Sequence, residues 1–311
     1  MEVGIIGNGH HSKRIQKILK KIKIKFFIYK KLKNPAKNTL EFNKLKKFKI
    51  IFIISPNNTH FYYLNLLKKN RYLFCEKPPV SNLKELRKLK KLNKYNIYFN
   101  FNKRFSHLSL ILGNIKKYKF GKLIYANFIL SHGLAQTKKY IGSWRSKIKL
   151  AKKGVFEIVS IHDIDLVNYL YKIKKIKTNS LENFSKIGNS YDTSNIQIEL
   201  TNKAIVNIFS TYNSSLHDNA ILMFENGFVE KNNNEITING PTKTFNKRGF
   251  FIKPPKILSN KISSIKDYEL SLYKSVNYFI KNCKLKTKFP RKNFDCSIST
   301  NEIILHKHKN K

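Results

Sequence analysis

Glu2-Val3-Gly4-Ile5-Ile6-Gly7-Asn8-Gly9-His10-His11-Ser12 is the stretch that decides the fold. Five residues with the pattern of a short buried strand run into Gly7-Asn8-Gly9. A lysine-faced helix is then expected from about Ser12 to Lys21, with Ile15, Ile18 and Leu19 spaced for one face. Strand, glycine turn and helix in that order form the context of a dinucleotide-binding fingerprint. Gly7 permits the tight turn, Gly9 lets the backbone approach a pyrophosphate, and the helix N-terminus offers amide donors to that anion. His10 and His11 flank the turn. Ser12 stands where a third glycine is usual and is small enough for close packing.

The same alternation continues for about 120 residues. Strands are expected at Lys23 to Tyr29, Lys49 to Ile54, Tyr72 to Cys75 and Asn96 to Phe101. Helices are expected at Phe61 to Asn70 and Asn82 to Lys94, the second opened by a capping box of Asn82 and Glu85. Alternating β and α elements predict an α/β fold with a doubly wound parallel sheet, a Rossmann domain over residues 1–119. The pattern then changes. Lys122 to Ser131 reads as a strand and Val155 to Tyr171 as one long helix. Strands follow at Ser194 to Leu200, Ala204 to Tyr212, Ala220 to Glu225, Phe228 to Glu230 and Glu235 to Ile238. Pro241 to Lys266 reads as irregular. Tyr268 to Asn282 is an amphipathic helix with Leu272, Val276 and Phe279 on one side. Residues 120–311 are therefore expected to form an α+β domain on an open, largely antiparallel sheet.

Composition narrows the function classes. The 311 residues carry 62 basic and 18 acidic side chains, a formal net charge of +44. Seven of the 62 are arginine and 55 are lysine, spread from end to end. Base readout favours the planar arginine fork, so a specific nucleic-acid partner is not expected. Lys, Asn, Ile, Phe and Tyr are abundant together, as A/T-rich codon usage alone produces. The positive field still attracts anionic small molecules. No apolar run is long enough for a membrane span. With no visible signal peptide, and Cys75, Cys283 and Cys296 in no paired spacing, a reduced, cytoplasmic setting is expected. No Cys/His spacing suggests a metal site.

Two further strand ends carry polar motifs. Ser55-Pro56-Asn57-Asn58-Thr59-His60 follows the third strand, where open α/β sheets bind ligands. Cys75-Glu76-Lys77-Pro78-Pro79 follows the fourth. A partly desolvated lysine beside a cationic ring can exchange a proton with a hydroxyl. No acid stands about 20 residues past the glycine turn to hold a ribose 2′-hydroxyl. Tyr29-Lys30-Lys31 stands there, so Lys30 would meet a 2′-phosphate, and NADP is favoured over NAD.

With Asn102-Lys103-Arg104-Phe105, Trp144-Arg145 and the run from Gly154 to Asp165, these ordered motifs resemble the Gfo/Idh/MocA oxidoreductase family over nearly the whole chain. The resemblance implies bound NAD(P), a sugar, cyclitol or related polyol as substrate, and a C-terminal sheet that often makes homo-oligomers. Lys77 would be the catalytic acid/base, with His162 assisting beside the substrate and Asp165 facing the same pocket. Gly7, Asn8, Gly9, His10, His11, Lys30, Ser55, Pro56, Asn57, His60, Glu76, Lys77, Trp144 and Arg145 would contact the cofactor. Arg104 and Arg145 would line the cleft. One position departs. The family commonly has an aspartate four residues before the histidine; here it is Ile158. Ser160 replaces a usual glycine, and a glycine run is reduced to Gly154. Glu157 is adjacent, but about 100° of helical rotation should turn it elsewhere. Three other readings are a site lacking catalysis that still binds cofactor, NAD-dependent glycoside cleavage, and a polyanion-binding protein.

Overall fold

The computed structural model describes residues 1–30, 40–69, 71–92, 95–241 and 245–306. Lys31, the helix ends at Asn70, Asn93 and Lys94, and residues 242–244 and 307–311 lie outside the described residues. The chain divides into two compact units, residues 1–105 with 270–306, and residues 106–269.

In the first unit the order is β1 (Glu2–Ile6), α1 (His10–Lys21), β2 (Lys25–Tyr29), α2 (Leu40–Lys46), β3 (Ile50–Ile53), α3 (His60–Leu67), β4 (Tyr72–Cys75), α4 (Leu83–Leu89) and β5 (Ile97–Phe99). The five strands form one sheet in the order β2-β1-β3-β4-β5, and every pairing is parallel. This is the doubly wound sheet expected from the sequence. The inner strand β3, Ile50-Ile51-Phe52-Ile53, is an apolar run buried at every position, while the edge strand β2 is mostly only partly buried. The order reverses between β1 and β3, so their carboxyl ends bound the crevice where such sheets take ligands. α4 starts as the capping pattern predicts. The Glu85 amide donates to Asn82 Oδ1 at 2.9 Å. The return bond reaches one residue further back, from the Ser81 amide to Glu85 Oε2 at 2.7 Å.

The second unit holds α5 (His107–Gly113), β6 (Leu123–Ser131), α6 (Lys138–Ile141), α7 (Ile161–Leu170), β7 (Ile173–Glu182), β8 (Thr193–Leu200), β9 (Ile205–Thr211), β10 (His217–Phe224), β11 (Gly227–Lys231), β12 (Glu235–Asn239) and β13 (Lys256–Lys261). Its eight strands run in the order β13-β12-β11-β10-β6-β9-β8-β7. Only β6 and β9 pair in parallel; the other neighbours are antiparallel, as expected. Two strands were not expected. β13 lies in the segment read as irregular. β7 is lysine-rich, and it gathers Lys174 and Lys177, each 2.8 Å from the Glu199 carboxylate of β8.

The two compact units do not follow a single linear division such as the boundary expected at residue 119, because the last two helices return the chain to the first of them. α8 (Ser264–Lys284) begins in the second unit, and from Leu270 onward it belongs, with α9 (Arg291–Leu305), to the first. Leu272, Val276 and Phe279 are buried, as their spacing predicts. What they cover is the parallel sheet. The Phe279 ring lies 5.1 Å from Phe52 and 5.3 Å from Phe74, edge-on to both. Phe289, between the helices, stacks on Phe279 at 5.6 Å. Edge-to-face aromatic contacts of this kind add to a large burial of apolar area. Among the described residues no helix is long and apolar enough to cross a membrane.

Candidate active site

The glycine turn adopts the geometry its residues allow. Gly7 has φ +107°, and a Cβ there would collide with the Ile54 carbonyl of the next strand end. Its amide donates to the Tyr29 carbonyl at 3.0 Å, which brings the end of β2, and exposed Lys30 after it, beside the turn. Gly9 is different. It is the N-cap of α1, exposed, with no side-chain cap and nothing within 4 Å of where a Cβ would stand. The helix start is therefore open on the side an anion would approach. Ser12, in the third-glycine place, is fully buried and donates its hydroxyl to the Gly7 carbonyl at 2.8 Å. Gln16 donates to both Ser12 Oγ, at 3.0 Å, and Asn8 Oδ1, at 3.1 Å. The serine thus locks the turn, a role its size alone did not reveal. His10 is exposed.

His11 connects this turn to the second motif. Its Nε2 lies 2.7 Å from Glu76 Oε1, and Asn100 donates to the same oxygen at 2.6 Å. Burial would raise the Glu76 carboxyl, but the charge and hydrogen bond of His11, with the Asn100 amide, hold it below its ordinary value. The network continues from Ser275 to Asn100 Oδ1 at 2.6 Å, and Ser275 lies 2.7 Å from the Tyr98 hydroxyl. Lys77, the next residue, is partly buried, and its charge acts on both Glu76 and His60.

His60, expected to touch a cofactor, is 0 % exposed, and both ring nitrogens face main-chain carbonyls. Nδ1 is 2.7 Å from the Pro78 carbonyl and Nε2 is 2.8 Å from the Ser55 carbonyl. Only the imidazolium could donate at both. Burial holds the ring's pKa below its ordinary value against the pull of those carbonyls. His60 thus clamps the Ser55-Pro56-Asn57 loop to the residue after Lys77. Ser55 accepts from Thr59 at 2.6 Å, while Pro56 is exposed and Asn57 partly so. Arg104 is also drawn inward. Its guanidinium donates to Ser297 Oγ at 3.0 Å and to the Asn293 carbonyl at 3.3 Å, both on α9, and lies over the Phe101 ring.

In the second unit, the helix expected as one piece from Val155 changes register. Residues Phe156–Ser160 are π-helical, with the Ile161 amide reaching back five residues to the Phe156 carbonyl, and α7 follows. Four of the five residues, Phe156, Ile158, Val159 and Ser160, are buried. A wider turn aims more of them inward than an α-helix would. Ile158 and Val159 join a core of Ala135, Tyr140, Ala151, Val155 and Tyr212. Ser160 Oγ lies 2.7 Å from Ser194 Oγ on β8. The rotation of about 100° per residue therefore does not apply here. A five-residue turn gives Glu157 roughly the bearing toward His162 that a residue four back holds in an α-helix. His162 is partly exposed, whereas Asp163 and Asp165 are buried. Burial pushes the Glu157 carboxyl up to about 6, against the amides and charges of Lys153 and Lys152. Trp144, 37 % exposed, carries the Arg145 guanidinium over its ring at 4.5 Å.

Residues 2–96 match the sequence profile of the Gfo/Idh/MocA family, described as an oxidoreductase family with an NAD-binding Rossmann fold. No curated protein sequence matches the chain. Among solved structures, levoglucosan dehydrogenase in complex with NADH and levoglucosan is 15% identical with a TM-score of 0.74, covering 98% of this chain and 96% of that one. A myo-inositol dehydrogenase from Corynebacterium glutamicum is 16% identical with a TM-score of 0.71, covering 97% of this chain and 94% of that one. An inositol dehydrogenase homolog complexed with NAD+ from Azotobacter vinelandii is 12% identical with a TM-score of 0.73, covering 98% and 93%. At these identities the likeness is one of fold, and it extends over both units.

Two outcomes are expected from this geometry. Gly9→Ala should leave the melting temperature unchanged, because its methyl meets no protein atom, yet weaken any ligand seated on the α1 N-terminus. Gly7→Ala should cost more than about 2 kcal/mol from positive φ and the Ile54 collision. Thermal melts with cofactor titrations separate the two; a destabilised Gly9→Ala would contradict the open turn. Glu157 has its folded pKa raised from 4.5 to about 6. A raised carboxyl binds more protons folded than unfolded, so its contribution to stability falls as pH rises through that window. Glu157→Gln should therefore stabilise the protein above pH 6 by up to about 2 kcal/mol and do nothing at pH 4. Denaturant unfolding at both pH values reads this directly. Residues 2–96, where the parallel sheet and the glycine turn lie, are thus similar in sequence to the Gfo/Idh/MocA oxidoreductase family.

Proposed function

We propose that the protein is an NAD(P)-dependent oxidoreductase that transfers a hydride between nicotinamide and a hydroxyl-bearing or ketone carbon of a sugar-like molecule. The observation that carries this reading is the His11–Glu76 bond at 2.7 Å, which ties the open glycine turn to the loop bearing Lys77. A dinucleotide fits the residues present: the uncapped start of α1 and the vacant side of Gly9 suit a pyrophosphate. Asn8, Gly9, His10, Ser55, Pro56 and Asn57 are the groups that would hold it, with Glu76 and His60 fixing the loops from behind. Bound nicotinamide would supply the hydride chemistry.

Lys77 is assigned the proton transfer. Its neighbours on both sides are immobilised, Glu76 through His11 and Asn100, Pro78 through His60. The lysine stem therefore departs from a fixed point. An amine so placed takes the hydroxyl proton as the alcohol is oxidised and returns it to the ketone in reverse. His162 assists beside the substrate, and Asp165, one helical turn on, supports it. The exposed Lys30 next to the turn favours the 2′-phosphate of NADP.

Lys77→Ala should reduce turnover by about 10²–10⁴-fold while NADPH binding, followed by calorimetry, stays within a few-fold. Undiminished turnover would remove Lys77 from the chemistry. Lys30→Ala should weaken NADPH several-fold and leave NADH unchanged. Equal weakening of both, measured in parallel titrations, would mean that Lys30 does not read the 2′-phosphate.

A further inference from the structure

Arg145 is held in a way that a solvated arginine is not. Its guanidinium lies against the Trp144 ring at 4.5 Å, which fixes its plane. Behind it stands Tyr212, 0 % exposed, with Arg145 beside the phenol hydroxyl but short of bonding geometry. Tyr140, also 0 % exposed, sets its ring edge-on to Tyr212 at 5.8 Å. His132 covers Tyr212 from another side at 4.8 Å and feels the Arg145 charge. These five residues come from α6, the short turn after it, and the loops that follow β6 and β9.

No carboxylate neutralises this cation among the described residues. The two nearby acids are committed elsewhere. Asp192 accepts from the amides of Phe184 and Ser185, at 3.0 and 2.8 Å, and from Thr193 at 3.0 Å. Glu157 is held by the amides of Lys152 and Lys153. The hydroxyl oxygens of Tyr140 and Tyr212 are out of solvent and without a hydrogen-bond partner. Burial pushes both phenols well up, so they stay neutral and keep their protons. An oriented cation with no carboxylate in ion-pair contact among the described residues, beside two unused hydroxyls, forms a site that lacks its anion. Leaving such groups unpaired is costly, and the arginine fork matches the two oxygens of a carboxylate or phosphoryl group.

We propose that Arg145, supported by Tyr212 and Tyr140, binds an anionic oxygen group of the substrate, so that the protein acts on an acidic or phosphorylated sugar in preference to a neutral polyol. The inference rests on the oxidoreductase reading and narrows its substrate class. The general positive charge of the chain would draw any anion nearby. Arg145 supplies the geometry that selects one.

Trp144 is the sole tryptophan and touches the guanidinium, so its fluorescence reports on the site. The intact protein, without cofactor and at physiological salt, is titrated separately with glucuronate, glucose 6-phosphate and glucose. Saturable change with glucuronate or glucose 6-phosphate, and none with glucose, is expected; the stronger of the two tells carboxylate from phosphoryl. Arg145→Lys keeps the charge and removes the fork, and should weaken that binding by about tenfold or more, the weight of one charge-assisted hydrogen bond. Tyr212→Phe, which keeps the ring packing, should weaken it several-fold and serves if the arginine variant melts early. Glucose binding as well as the acids, or no response to either acid, overturns the proposal. So does Arg145→Lys weakening NADPH, measured by calorimetry, while leaving the acidic sugar untouched, because the site would then serve the cofactor. NADPH binding with the acids ignored sinks this inference alone. Acid binding through Arg145 without binding of NADPH or NADH sinks the oxidoreductase reading and leaves the anion site standing.

Discussion

A buried carboxylate holds the ligand edge of the first unit together. Glu76 follows β4 and is 7 % exposed, and such a group stays charged in a protein only if hydrogen bonds and opposite charge replace its water. His11 and Asn100 do this, and each belongs to a different element. The first opens α1, the second follows β5, and Asn100 is fixed in turn by Ser275 of α8. One acid therefore sets the glycine turn, the start of the Lys77 loop and the far strand of the sheet. His60 does the complementary work from the other side by reaching Ser55 and Pro78. Lys77 stands between two buried anchors.

The scarcity of acids makes their placement informative. Only 18 acidic residues face 62 basic ones, yet Glu76, Asp163, Asp165, Asp192, Glu199 and Asp267 are all buried. Buried acids are uncommon unless paired. In this chain several serve amides and histidines instead of lysines. Asp192 binds two loop amides, and Asp267, in the first turn of α8, accepts from the His107 amide at 2.9 Å and lies 2.8 Å from its ring. These acids are structural pins. The lysine excess lies mostly on the outside, where it changes the field around the protein and little of the fold. Lys231 is an exception, buried and 2.5 Å from Asp218.

Much of this was legible in the chain because parallel strands buried on both faces leave an unmistakable trace. Ile50-Ile51-Phe52-Ile53 and Tyr72-Leu73-Phe74-Cys75 leave no alternative face to present. The glycine turn was legible for the same reason, since its residues are dictated by backbone angles. β7 and β13 were not. Both are edge strands, and Ile173-Lys174-Lys175-Ile176-Lys177 shows no period of two because register shifts interrupt its pairing with β8. The return of the chain to the first unit was also hidden. The pattern of Leu272, Val276 and Phe279 announces an apolar face, but not which sheet that face covers. The inward turn of His60 and Arg104 was hidden too, since a polar side chain looks the same in sequence whether it meets a ligand or a carbonyl.

Ile158 shows how a departure from a motif can be read in physical terms. The π-helical turn lets Phe156, Ile158, Val159 and Ser160 all enter the core, and Ile158 packs in the cluster that contains Tyr140 and Tyr212. A carboxylate at that position would be desolvated among apolar groups, at a cost that no nearby lysine amide offsets. Glu157, one residue earlier, has the amides of Lys152 and Lys153 to lower that cost. The acid and the apolar residue have therefore exchanged the places that a regular α-helix would assign them, and the widened turn makes the exchange compatible with packing. Ile158 then acts as a wall that keeps the two phenols dry. The Trp144 ring, not the phenols, fixes the plane of the Arg145 guanidinium.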